Sequence, residues 1–262
     1  MPQLEDAAGV ATYYEETGDG RPVVVLHGGL ESGADWSFLA DALADRHRVY
    51  LPDRRGHGRT PDVDGPYTYR AMAAETIAFM EQVVDGPADL VGFSDGANVA
   101  LLVAIERPDL VRSTVSISGN LTGEGLMPAM LDRLRDPDPG SPQIAPLRDA
   151  YAALSPDGVD HWPTYYTKVC EMGVAGPDIS LDDVAGITCP TLVIVADDDV
   201  IDHHHSVAFF EALTDGRMAM VPGASHLVEY EHPAAVVALV EAFLDGPPPT
   251  RLLPMRAAEL GE

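Results

Sequence analysis

The 262-residue chain is long enough to bury a full core. Its 42 acidic and 16 basic side chains leave a net charge of −26. That balance argues against a polyanionic partner, because no Lys/Arg cluster or aromatic-basic patch interrupts it and Lys168 is the only lysine. The opening run MPQLEDAAGV lacks the basic region and apolar core of a signal peptide, and no apolar run approaches a membrane-spanning length. Cys170 and Cys189 have neither metal-type spacing nor the numbers for a disulfide framework. A reduced, cytoplasmic protein with no nucleic-acid or membrane partner is expected; the oligomeric state is not readable.

Along the chain, short β-rich runs alternate with helical patterns. VATYYEE (10–16) and PVVVLHG (22–28) read as strands, and DWSFLADALADRH (35–47) as an amphipathic helix with Trp36, Leu39 and Leu43 on one face. A strand over 48–53 ends in the turn-rich RRGHGRTPD. A helix over 69–84 leads to the strand ADLVGF (88–93), a nearly all-apolar and therefore buried helix over 97–108, and the strand STVSIS (113–118). The pattern resumes with a strand over 189–196, a helix over 203–213, a strand over 217–222 and a helix over 233–244.

This alternation predicts the α/β class: a mostly parallel sheet flanked by helices. Residues 1–120 and 187–246 form the expected core. The stretch 121–186, with helical patches over 146–154 and 159–172 but no buried strand, is expected to be a small inserted helical cap. Residues 247–262, after a proline run, are expected to be a loose tail.

DLVGFSDGANVALL, residues 89–102, sets a serine and an aspartate side by side between two glycines. Gly92 and Gly96 frame Ser94 as Gly-x-Ser-x-Gly between a predicted strand and a predicted helix. A sharp turn there holds its apex residue strained and needs small residues two positions away. The frame centred on Asp95 would put glycines where Phe93 and Ala97 stand, so Ser94 is the apex. A hydroxyl nucleophile needs a base, and His226 leaves a predicted strand through a short loop at the carboxyl edge of the sheet. The base needs an acid, and VIVADDDVI (193–201) presents three.

With HGG (27–29), DRRGHGRT (53–60), GFSDG (92–96), ADDDVI (196–201) and GASH (223–226) in this order, the chain resembles the α/β-hydrolase superfamily over nearly its whole length, in its serine esterase and lactonase-like branch. The resemblance implies a Ser–Asp–His triad in chain order. Ser94 and His226 stand at the matching positions, Asp199 is the best match for the acid, and Asp198 is its rival. Some members carry the acid after the earlier strand, where this chain has Asn120, which cannot serve. The oxyanion hole implied is the amide of Asp95 with that of Gly29, or of Leu30 in its place. For the Asp95 carboxylate, the competing readings are support of a helix amino terminus or a surface cation and recognition of a substrate ammonium.

The activity implied is cofactor-free and metal-free hydrolysis of a small carboxylic ester or lactone through an acyl-enzyme on Ser94. Carbon–carbon bond hydrolysis and haloperoxidase-like perhydrolysis use the same triad, and a low-turnover ligand-binding relative is a reading from another class. A serine at the apex argues against epoxide hydrolases and haloalkane dehalogenases, which use aspartate there. Leu30, Met127, Met130, Trp162, Tyr165 and Tyr166 are the candidate pocket lining. His203, His204 and His205 read as solvated residues at a helix start, where adjacent side chains diverge and cannot share one ion.

Overall fold

A computed structural model of the protein describes residues 3–7, 9–247, 250 and 252. The chain opens on strands β1 (Gln3–Ala7) and β2 (Val10–Thr17), paired antiparallel at one sheet edge. Next come β3 (Arg21–Leu26), a 3₁₀ turn over Gly33–Trp36, α1 (Ser37–Leu43) and β4 (His47–Pro52). Helix α2 (Tyr69–Phe79) runs on into a π turn over Met80–Val84. It is followed by β5 (Ala88–Phe93), α3 (Asp95–Glu106) and β6 (Val111–Ile117). Four helices then precede the next strand: α4 (Pro128–Arg135), α5 (Ala145–Leu154), α6 (Trp162–Ala175) and α7 (Leu181–Ala185). The chain closes with β7 (Thr191–Asp198), α8 (His203–Ala212), β8 (Gly216–Ser225), α9 (Val228–Glu231) and α10 (Pro233–Asp245).

The eight strands form one sheet in the order β1-β2-β4-β3-β5-β6-β7-β8. Strand β2 pairs antiparallel with β4, and every pair from β4 through β8 is parallel. Period-two alternation sorts each central strand between two cores. Val23 and Val25 face the Trp36, Leu39 and α10 side, whereas Val24 and Leu26 face the side of α2 and α3. Strand β3 hands the chain to β4 on one side and lies against β5 on the other. The crevice beyond Leu26 and its partner Gly92 is therefore a topological switch point.

Several expectations need correction. The helix expected over 35–47 ends at Leu43, because His47 pairs with Arg21 at the start of β4. The helix expected from 97 begins at Asp95, and β8 extends to Ser225. Strand β1 and helices α4 and α7 were not foreseen; α4 buries none of its residues, so its pattern carries no core stripe. Most of the stretch expected as a loose tail lies outside the described residues.

Candidate active site

The turn from β5 into α3 places Ser94 at φ 49°, ψ −118°, a region that a non-glycine residue occupies only under constraint. The constraint is steric. A β-carbon at Gly92 would collide with the Gly96 carbonyl, and one at Gly96 with the Leu26 carbonyl, so backbone packs directly on backbone on both sides of the serine. Ser94 N–H donates to the Ile117 carbonyl at 2.8 Å, which ties the turn to the end of β6.

His226, one residue beyond β8, lies with Nε2 3.0 Å from Ser94 Oγ and Nδ1 2.7 Å from Asp199 Oδ1. The three acids of the 197–199 run divide their tasks. Asp197 accepts the Gly223 and Ala224 amides at 2.8 and 3.1 Å and so holds the loop before His226. Asp198 is exposed. Asp199 turns inward, accepting Ser118 Oγ–H at 2.5 Å and the Ala196 and Ile201 amides at 3.3 and 3.2 Å. Burial alone would raise the Asp199 carboxyl, but the hydrogen bond and charge of His226, with Ser118, outweigh it and hold the carboxyl below its usual range.

Asn120 does other work. Its Oδ1 accepts Asn98 Nδ2–H at 2.9 Å and its amide donates to Asn98 Oδ1 at 2.8 Å, which fastens the end of β6 to α3.

The Asp95 amide opens α3, among the first-turn N–H groups that have no intrahelical acceptor. Gly29 lies beside it: a β-carbon there would sit 2.5 Å from Asp95 Oδ2 and 3.4 Å from Val169 of α6. Leu30 follows with φ 64°. Among the described residues, no surface cation pairs with the Asp95 carboxylate. Oδ1 accepts the buried Tyr69 hydroxyl at 2.6 Å, and the positive field nearby is that of Arg54, which is 4% exposed. Burial and the Asp95 charge push Tyr69 far up, so it stays a donor. Arg54 holds the underside of the HGG loop through the His27 and Gly28 carbonyls, at 2.7 and 2.8 Å.

Of the candidate lining residues, Leu30, Trp162, Tyr165 and Tyr166 share one apolar cluster, whereas Met127 and Met130 lie outside it. Trp162 is buried within the helical insertion, donating to the Pro139 carbonyl at 2.9 Å and packing on Tyr151, Tyr165 and Tyr166. Tyr165 reaches down to His57, with ring centroids 5.0 Å apart, while Tyr166 and Leu30 are half-buried against the same core. Met130 is half-buried, and Met127 is 42% exposed, its amide bonded to the Val200 carbonyl at 2.7 Å. The three histidines are not all solvated: only His204 is exposed. His203 Nε2 lies 3.1 Å from the Ala196 carbonyl and His205 Nε2 accepts the Leu121 amide at 2.9 Å, so the imidazoles diverge into structural tasks.

Sequence reasoning missed Ser118, Tyr69, Arg54 and two acids flanking the site, Glu31 and Glu229. Each draws its meaning from a partner distant in the chain.

Residues 23–239 match the model of the Alpha/beta hydrolase family. The chain belongs to that family. Among its relatives, this hydrolase-family chain is 31% identical over 254 residues to the "Putative non-heme bromoperoxidase BpoC" of Mycobacterium tuberculosis, covering 85% of this chain and 93% of that one. It is 26% identical over 261 residues to the 2-hydroxymuconate semialdehyde hydrolase of Pseudomonas sp. CF600, covering 91% and 92%. The fold is shared with the meta-cleavage product hydrolase CumD of Pseudomonas fluorescens, at a TM-score of 0.77 and 20% identity, covering 94% of this chain and 97% of that one. Among the described residues, no helix is long and apolar enough to cross a membrane.

Proposed function

We propose that this α/β hydrolase is a serine hydrolase that cleaves a small carboxylic ester or lactone through an acyl-enzyme on Ser94. The observation that carries the reading is the unbroken relay Ser94 Oγ–His226 Nε2/Nδ1–Asp199 Oδ1, at 3.0 and 2.7 Å. Ser94 attacks the carbonyl while His226 takes its proton. Asp199 holds the imidazole in the tautomer with its acceptor nitrogen toward Ser94 and stabilises the cation formed. The amides of Asp95 and Gly29 face the developing oxyanion, each worth about 3 kcal/mol in the transition state. His226 returns the proton to the leaving alcohol, and water, activated by the same imidazole, releases the acid. The helical insertion between β6 and β7 acts as a cap over Ser94, with Val169 of α6 beside Gly29 of the HGG loop.

Similarity along nearly the whole chain to 2-hydroxymuconate semialdehyde hydrolase supports a second reading, hydrolysis of a carbon–carbon bond by the same groups. A fluorophosphonate distinguishes an activated serine from a disabled one in either case. One adduct on Ser94, measured by intact mass and lost in Ser94→Ala, is expected; a folded protein that forms none overturns the proposal. A panel of p-nitrophenyl esters, lactones and vinylogous 1,5-diketone acids then separates ester from carbon–carbon cleavage.

A further inference from the structure

The segment before α1 and helix α9 are joined by acidic groups. Glu31, four residues beyond His27, accepts the Gly28 amide at 2.7 Å and Trp36 Nε1–H at 3.2 Å through Oε2. Glu229, three residues beyond His226, is 2% exposed. Apart from its own amide, no N–H or O–H donor of another described residue reaches either of its carboxyl oxygens; what lies against them is the Glu31 carboxyl. One residue on, the exposed Tyr230 donates to Asp35 Oδ1 at 2.9 Å. Two carboxyls in contact, one buried and one half-buried, with no cation bonded to either among the described residues, are stable only when a proton lies between them. The other groups facing the pair are Asp35 and Tyr230, with Arg54 and Tyr165 across the HGG loop from Glu31. Burial, then the neighbouring Glu31 charge, push Glu229 up to about 9. The pair, and not either acid alone, owns that titration.

We propose that Glu31 and Glu229 are positioning residues that share one proton and thereby clamp the oxyanion loop to the segment carrying His226. This rests on the serine-hydrolase reading. Glu31 lies two residues from Gly29, and α9 begins two residues after His226. Loss of the shared proton places two negative charges in contact out of water. The two segments separate, and Gly29 and His226 lose their common register on Ser94. The clamp is thus closed at neutral pH and opens in alkali.

Two measurements test it. Infrared spectra at pH ~8 report the C=O stretch of a protonated carboxylic acid directly. At that pH Asp53, which burial raises only to about 6, is ionised. A protonated-acid band present in the wild type and lost in both Glu229→Gln and Glu31→Gln is expected; no band in the wild type overturns the shared proton. The second arm is the rate of fluorophosphonate labelling, read as each protein's own ratio between pH ~8 and pH ~10. The wild-type ratio should fall about tenfold, as a group titrating one unit below the upper pH requires. The glutamine of Glu229→Gln donates to Glu31 without titrating, so its ratio should stay within about twofold. A flat wild-type ratio, or an equal fall in both glutamine variants with circular dichroism unchanged, overturns the proposal. Absence of an adduct at every pH would sink the hydrolase reading and with it the positioning role, while the infrared band would still decide the proton.

Discussion

Asp199 shows how one carboxylate is kept both buried and ionised. His226, Ser118 and two backbone amides converge on it, and together they outweigh the desolvation that would otherwise protonate it. Its neighbour Asp198 has the same chemistry and none of the partners. Asp199→Asn should therefore lower kcat on an activated ester by about 10³–10⁴-fold, whereas Asp198→Asn should leave it unchanged. Equal effects would reverse the assignment. Ser118→Ala removes one hydrogen bond to a charged group, and a fall in kcat of roughly tenfold is expected. The sign of the pH dependence follows from the depressed carboxyl. Its contribution to the fold is present above the ordinary carboxylate value near 3.8 and is lost as pH falls through the lower folded value. Acid inactivation by this route should thus begin only below about pH 4.

At the scale of elements, the helical insertion is fastened to the loop after β4 by a polar hub. Asp62, in the loop after β4, accepts the Lys168 ammonium of α6 at 2.7 Å, His161 Nε2 at 2.7 Å and the Tyr67 hydroxyl at 2.6 Å. Lys168 spends the chain's only ammonium side chain on this contact. Lys168→Met keeps the apolar stem and deletes the charge, so hydrogen exchange in α5 and α6 should quicken about five- to tenfold with β3, β5 and β6 unchanged. Uniform acceleration would mean a global loss of stability instead. None of this was legible beforehand, because Asp62 and Lys168 stand 106 residues apart in the chain. What could be read was local. The buried runs of β3, β5, β6 and β7 announce themselves by composition, and the Ser94 turn by glycines that steric contact demands. His226 could be placed from its position after a strand. Asp199 was separable from Asp198 only by motif register, since the two are adjacent at the end of β7 and only folding turns one inward. Helix α4 lacks a buried stripe, and the value of Glu229 exists only once α9 lies on the segment that holds Glu31.

The whole molecule carries 42 acids against 16 bases, and most of the bases are already engaged. Arg21, Arg46, Arg48, Arg70 and Arg107 each meet a carboxylate within 3 Å, so little positive charge is left to offset the excess. Such pairs are partly exposed and contribute little each, whereas the residual repulsion acts over the whole surface. The candidate site shares the sign of that surface, because Asp95 follows the serine directly and Glu31 and Asp35 stand on the segment after the HGG loop, while Arg54 is turned inward onto the His27 and Gly28 carbonyls. Raising NaCl from ~10 mM to ~0.3 M shortens the screening length from about 30 Å to about 6 Å and should relieve both effects. The expected results are a higher Tm and, for a carboxylate-bearing ester, a kcat/KM that rises with salt, while that of its uncharged analogue stays flat. The paired substrates separate the field at the site from any general effect of salt on the fold, which would move both alike. A kcat/KM for the anionic ester that falls with salt would mean that Arg54, and not the acidic surface, sets the potential felt at Ser94.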